Sequence, residues 1–160
     1  MKSYSEREEN ERRHFNMLAK KYDDNYGYKD TFTKYKIAKK ASSFTKLVKE
    51  YQFDKGGVIL EMGCGTGVYT REVAKDLPNS QIIALDISET IVQVAKRASK
   101  KHRNIKYQVA SVYDTKLKDA SVDVIFGFYV LHHLNEECLQ QKKLSELVLS
   151  DPSNKGKALR

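Results

Sequence analysis

Cysteine is scarce in this chain: Cys64 and Cys138 are its only two. Their number and spacing exclude a disulfide framework and a cysteine-built metal site, and no metal is expected. No apolar run approaches the ~20 residues that a membrane-spanning helix needs. The N-terminal stretch, Met1-Lys2-Ser3-Tyr4-Ser5-Glu6-Arg7, lacks the apolar core of a secretory signal, so the expected location is cytoplasmic. No internal repeat occurs. Nor is there an arginine-rich block or a basic–aromatic repeat, although 29 Lys+Arg against 21 Asp+Glu give a net charge of +8. That charge admits nucleic acid as a partner. The plainer reading is a solvated surface, because lysine is spread along the chain. The densest cluster is Lys96, Arg97, Lys100, Lys101, Arg103 and Lys106. Much of it falls at an expected helix C-terminus, where the helix dipole favours cations.

What is present is a domain's worth of chain, 160 residues with 40% hydrophobic and 31% charged. It is organised around Val58-Ile59-Leu60-Glu61-Met62-Gly63-Cys64-Gly65-Thr66-Gly67-Val68. Three apolar residues predict a short buried strand. Glycines at alternate positions then turn the chain, and Val68 opens a helical pattern. Such a unit presents free helix N-terminal N–H groups, which suit a carboxylate or phosphate. A second apolar run, Ile82–Leu85, ends at Asp86. An acidic residue at the end of the second strand, about 20 residues past the glycines, commonly binds ribose hydroxyls. The dinucleotide fingerprint G-x-G-x-x-G does not fit, because Val68 stands where its last glycine belongs. A chance glycine-rich turn would not bring Glu61 and Asp86 with it.

Around this unit the chain alternates strands and helices. Residues 1–13 read as a frayed or exposed helical lead-in, and Phe15, Leu18 and Tyr22 follow a helical period. Asp23–Gly27 signals a turn. Ile37, Ala41, Phe44, Val48 and Tyr51 predict a second amphipathic helix, which should pack beside the sheet without a catalytic role. Val68, Val73 and Leu77 mark a helix stopped by Pro78. Strand two is Gln81–Leu85. Ser88 caps a helix whose inner face is Ile91, Val94 or Ala95, and Ala98. Ile105–Val109 is strand three and Asp123–Phe128 strand four. Asn135 caps a last helix carrying Cys138, Leu139, Leu144, Leu147 and Val148. The division is a helical segment over 1–54, a core over 55–149 and a tail over 150–160. Alternation implies parallel strands with right-handed crossovers in the order 3-2-1-4.

The glycine spacing resembles the class I S-adenosylmethionine-dependent methyltransferases, whose signature E/D-x-G-x-G-x-G is carried here by Glu61, Gly63, Gly65 and Gly67. The resemblance runs from about Phe15 to Leu134, and is closest to the small-molecule branch. It implies an α/β, Rossmann-like, doubly wound parallel sheet with N-terminal helices, and S-adenosylmethionine as cofactor. In that family a helix bearing an aromatic and a Tyr-Asp pair closes over the cofactor, which points to Tyr22; packing of its own helix is the alternative. The methionine moiety would lie on the backbone of Gly63, Cys64, Gly65 and Gly67. Glu61 would hold the cofactor's amino end, Asp86 the ribose hydroxyls, and Ile87 the adenine face. After strand three the family has an aspartate for the adenine amino group. Ala110-Ser111-Val112 stands there instead, so Ser111 would accept without charge and the Val112 N–H would meet a ring nitrogen. Asp114 reads as a loop carboxylate.

Phe126-Gly127-Phe128-Tyr129-Val130-Leu131-His132-His133-Leu134 resembles the family's fourth strand end, often V-L-H-H-L. Carbonyls near Phe128 would face the methionine amine. Tyr129, His132 and His133 would stand where an acceptor enters. His133 is the candidate general base; a helix-capping or packing histidine is the alternative. The Asn/Asp-Pro-Pro-Tyr and Pro-Cys motifs of nucleic-acid methylases are absent. Methyl transfer to a small molecule is therefore the expected function. The alternatives are an RNA or other nucleic-acid methyltransferase and a non-catalytic cofactor-binding module. The family's sheet continues past strand four with three more strands, whereas one helical pattern and a tail follow Leu134 here. The C-terminal half of the sheet is thus expected to be missing from this chain. Strand four is expected to be an apolar edge covered by a second copy in a homodimer, by the helix after Asn135, or by residues beyond Arg160 in the natural protein.

Overall fold

The computed structural model describes residues 4–130 and residue 133. Its centre is a parallel four-stranded sheet of Val58–Met62 (β1), Gln81–Asp86 (β2), Ile105–Val109 (β3) and Val124–Phe126 (β4), in the expected order β3-β2-β1-β4. Glu6–Leu18 (α1), Tyr22–Asn25 (α2) and Thr31–Glu50 (α3) precede it, while Val68–Asp76 (α4) and Glu89–Ala98 (α5) are the crossovers. The helix expected from Asn135 lies outside the described residues, as do Leu131, His132 and the tail.

β1 and β2 read as continuous apolar runs because both of their faces are covered. Ile59 and Ile82 turn to one face, where Ala41 and Val48 of α3, Val73 and Ala74 of α4 and Leu77 just past its end cover them with Phe126. Farther along that face Ala84 and Tyr107 meet Val92 and Ala95 of α5. Leu60, Met62, Ile83 and Leu85 turn to the other face, packed among the described residues by Ala110, Val122 and Val130. Ile59 and Leu60 are fully buried, so truncating either to alanine costs about 2–5 kcal/mol.

Several boundaries differ from expectation. Residues 6–13 are an exposed helical lead-in rather than a frayed one: Ser5 and Glu8 form a reciprocal capping box that starts α1 at Glu6. That helix stops at Leu18, so Tyr22 belongs to a separate short helix rather than to a continuous period, and part of the expected turn is helical. α1 buries no residue and is held by polar contacts. Arg12 reaches both oxygens of Glu89 at 3.1 Å, and Asn16 accepts from the Ser88 hydroxyl at 2.6 Å. Tyr51 is exposed beyond the end of α3, and Thr45 takes a core position there. On α5 the buried face is Ile91, Val92 and Ala95; Ala98 is exposed because the helix ends there. Ser99 then turns inward to bond Tyr107 at 2.8 Å.

β2 extends one residue, to Asp86. β4 is three residues, shorter than Asp123–Phe128. Asp123 uses its side chain, accepting the Val58 N–H at 2.7 Å. At Gly127 the chain leaves the sheet so closely that a Cβ would lie 2.6 Å from Val130 Cγ1 and 3.0 Å from the Met62 carbonyl oxygen. Among the described residues β4 pairs with β1 alone and forms a sheet edge.

Candidate functional site

The turns after β1, β2 and β3 and the segment after β4 open onto one cavity of about 480 Å³, roofed by α1, α2 and the start of α3. A cleft beyond the carboxyl ends of parallel strands, beside the point where strand order reverses, is where open α/β sheets bind ligands. Because α3 supplies Lys36 and Ile37 to the wall, it does more than pack beside the sheet.

Asp86 ends β2, half-buried in the cavity floor. Its Oδ2 accepts the Gly65 N–H at 2.9 Å, and its Oδ1 accepts the Ser88 N–H at 3.0 Å. The carboxylate thereby ties the turn after β1 to the loop after β2. Burial raises its pKa, against the bonds from Ser88, Gly65 and Ile87. With about four acceptor sites on its two oxygens, the carboxylate keeps capacity for a further donor. Glu61, at 1% exposure, lies deeper and accepts from the Thr70 hydroxyl at 2.5 Å. Burial pushes its carboxyl up to about 8, opposed by the Thr70 bond and reinforced by the negative charge of Asp86. Cys64 is also buried on the wall, and burial raises its thiol pKa well above the ordinary value.

The glycines divide their work. Gly65, at φ 53°, faces Tyr22, whose hydroxyl lies 3.3 Å from where a Cβ would stand. Gly67, at φ 77°, does not line the cavity; a Cβ there would lie 2.3 Å from the Tyr107 hydroxyl. Gly63 lines the cavity, and its missing Cβ leaves room for Val130, 2.6 Å away.

Tyr22 stands over this turn, its ring centroid 4.5 Å from that of Tyr26. Asp23 fastens the same turn by accepting from the Thr66 hydroxyl at 2.5 Å, and Arg71 donates to the Thr66 carbonyl at 2.8 Å. Ile87, Val112 and Phe128 line the wall, and Phe128 packs on Tyr69 with centroids 4.4 Å apart. The aromatic wall continues through Tyr28 and Tyr129. Burial pushes the Tyr28 hydroxyl up to about 12. Tyr129, at φ 60°, accepts from Lys40, which lowers its pKa.

Ser111 is 4% exposed and already engaged: it donates to Glu8 and accepts the Tyr113 N–H at 3.1 Å. His133 lines the cavity with Nδ1 3.3 Å from a Glu11 oxygen, its ring against Phe15 and its carbonyl on Arg7. The structure thus brings to one cavity Tyr22, Glu61, Gly63, Cys64, Gly65, Asp86, Ile87, Ser111, Val112, Phe128 and His133, leaving Gly67 behind the wall. Sequence reasoning missed Glu8, Glu11 and Thr66. The Ser5-x-x-Glu8 spacing was the available signal for the first. Among the described residues no cluster suited to a metal ion occurs, and no helix is long and apolar enough to cross a membrane.

The residues fit an adenosyl amino acid. Glycine turns free of Cβ atoms, an acidic strand end with spare acceptor capacity and apolar neighbours at Ile87 and Val112 match its amino-acid, ribose and base portions. The family described as "Methyltransferase domain" matches residues 59–148, more than half of the chain. Phosphoethanolamine N-methyltransferase 1 of Triticum aestivum is 34% identical over 85 residues, covering 51% of this chain and 17% of that protein. Malonyl-[acyl-carrier protein] O-methyltransferase of Bacillus cereus is 32% identical over 104 residues, covering 64% of this chain and 37% of that protein. The chain thus spans well under half the length of these relatives. In fold it resembles the magnesium protoporphyrin IX methyltransferase of Synechocystis PCC 6803, solved with bound SAM. The TM-score is 0.68 at 18% identity, over 92% of this chain and 73% of that one. A SAM-dependent methyltransferase from Aquifex aeolicus aligns with a TM-score of 0.55 at 26% identity, over 64% of this chain and 56% of that one. The matched stretch begins in the strand that leads into the cavity's glycine turn, and the chain belongs to the class I S-adenosylmethionine-dependent methyltransferases.

Proposed function

We propose that the cavity binds S-adenosylmethionine and that the protein transfers its methyl group to a small-molecule acceptor. The observation that carries this is the Asp86–Gly65 bond, which joins an acidic strand end to a glycine turn on one cavity floor. Asp86 would hold the ribose, and Glu61 the methionine amine. The N-terminus of α4, where Gly67 supplies no side-chain cap, suits the carboxylate. Tyr22 would cover the site and exclude water.

When bound, the cofactor supplies an already activated methyl group on a sulfonium. The chain's part is to place an acceptor in line with it and keep water out. The aromatic wall of Tyr28, Tyr69, Phe128 and Tyr129 suits a small organic acceptor. His133, on the cavity wall with Nδ1 3.3 Å from Glu11, is the proposed general base. The malonyl and phosphoethanolamine relatives support a small molecule over nucleic acid. A cytoplasmic setting and a homodimer through β4 complete the proposal.

Calorimetry with S-adenosylhomocysteine and NAD tests the cofactor. S-adenosylhomocysteine should bind and NAD should not. Tighter binding of NAD would overturn the assignment.

A further inference from the structure

We propose that Glu8 reads the exocyclic amino group of the cofactor's adenine and makes the site selective for a 6-amino purine. This rests on the cofactor reading above. Four carboxylates line the cavity, and three have other work. Glu61 is buried against Thr70, Asp86 is held by the Gly65 and Ser88 N–H groups, and Glu11 faces His133. Glu8 alone sits on the turn after β3, where its Oε1 accepts from the Ser111 hydroxyl. Ala110, Ser111 and Val112 of that turn and Ile87 of the neighbouring one line the same cavity. A flat heteroaromatic base fits between such apolar residues, with a polar group needed at its edge. The Ser111 hydroxyl gives its one proton to Glu8, and its oxygen, which accepts from Tyr113, is an uncharged and weaker acceptor than the carboxylate. Glu8 Oε1 keeps a second lone pair.

The carboxylate is held in place. Its Oε2 accepts the Ser5 N–H at 2.9 Å and the Ser5 hydroxyl at 2.7 Å, within the capping box of α1. α1 is itself fixed to α5 through Arg12–Glu89 and Asn16–Ser88. Burial raises the Glu8 pKa, but the bonds from Ser111 and Ser5 outweigh it and hold the group below the usual carboxylate range. An ionised carboxylate only accepts hydrogen bonds. It therefore favours an amino group at purine position 6 and repels an oxo group there.

The test compares S-adenosylhomocysteine with its deaminated analogue, S-inosylhomocysteine, by calorimetry on the full chain and on Glu8→Gln and Glu8→Ala. Glutamine at this position completes the same type of capping box, so Glu8→Gln should fold; circular dichroism checks both variants. The unmodified chain should prefer the adenosyl compound by tenfold or more. Glu8→Gln, whose amide can donate to an oxo group, should lose most of that preference by gaining affinity for the inosyl compound. Glu8→Ala should lose it by weakening the adenosyl compound alone. Preference unchanged in folded variants would overturn the role of Glu8 while leaving the cofactor assignment intact. Failure of the unmodified chain to bind either compound would overturn both.

Discussion

The Asp86 carboxylate and the Gly65 N–H meet at 2.9 Å, and this contact joins the ends of two adjacent parallel strands into one ligand-facing surface. The same carboxylate oxygen therefore has two tasks, holding the turn and meeting a ligand. Asp86→Ala should cost about 1.5–3 kcal/mol of S-adenosylhomocysteine binding, the range for hydrogen bonds to a charged group. It should also loosen the glycine turn. Asp86→Asn, which keeps one acceptor oxygen, should bind with intermediate affinity. Unchanged affinity in a folded Asp86→Ala would leave the residue only its structural task.

Gly65 and Gly67 should separate binding from folding. Both have positive φ, yet only at Gly67 would a Cβ strike a buried group, the Tyr107 hydroxyl at 2.3 Å. Gly67→Ala should destabilise the fold by about 1–3 kcal/mol or more through backbone strain and overpacking. Gly65→Ala should carry a smaller folding cost and a larger loss of S-adenosylhomocysteine affinity. Thermal melts and calorimetry on both variants check this; equal melting temperatures would contradict it.

Glu61 predicts a pH dependence. Its pKa rises from the ordinary glutamate value to about 8 in the fold, chiefly through burial. The folded chain therefore holds a proton that the unfolded chain releases, and stability falls as pH rises through that window. The contribution is complete below the unfolded value and lost above about 8. Glu61→Gln keeps an acceptor for Thr70 and carries no charge. It should flatten the decline between pH 5 and 8 and melt higher than the unmodified chain near pH 8.5. Parallel melting curves for the two proteins across that range would refute this.

The central strands were legible because parallel strands covered on both faces must be apolar, as Ile59, Leu60 and Ile82–Leu85 are. Asp86 and the glycines were legible because their spacing encodes a turn before a helix. The α1 side of the site was not. That helix buries no residue fully, so the Phe15 and Leu18 spacing did not show where it packs, and its place depends on distant polar pairs such as Arg12–Glu89. Glu8 looked like part of a solvated run because Ser111 is 103 residues away in the chain. The short extent of β4 was hidden for a related reason. Phe128 is as apolar as a strand residue, but it serves the cavity wall against Tyr69.

β4 predicts self-association. Val124, Ile125 and Phe126 form a sheet edge among the described residues, and an apolar edge is a template for another strand. The 160-residue polypeptide should dimerise or aggregate in light scattering, and a lysine at Ile125 should weaken that association. A monomer at high concentration would contradict the β4 interface.

The most direct measurement is a crystal structure of the chain with S-adenosylhomocysteine. The ribose hydroxyls should lie within hydrogen-bonding distance of Asp86, the amino-acid end beside Glu61 and the glycine turn, and the base beside Ile87 and Val112. A ligand bound outside this cavity, or bound inside it with its ribose away from Asp86, would contradict the assignment.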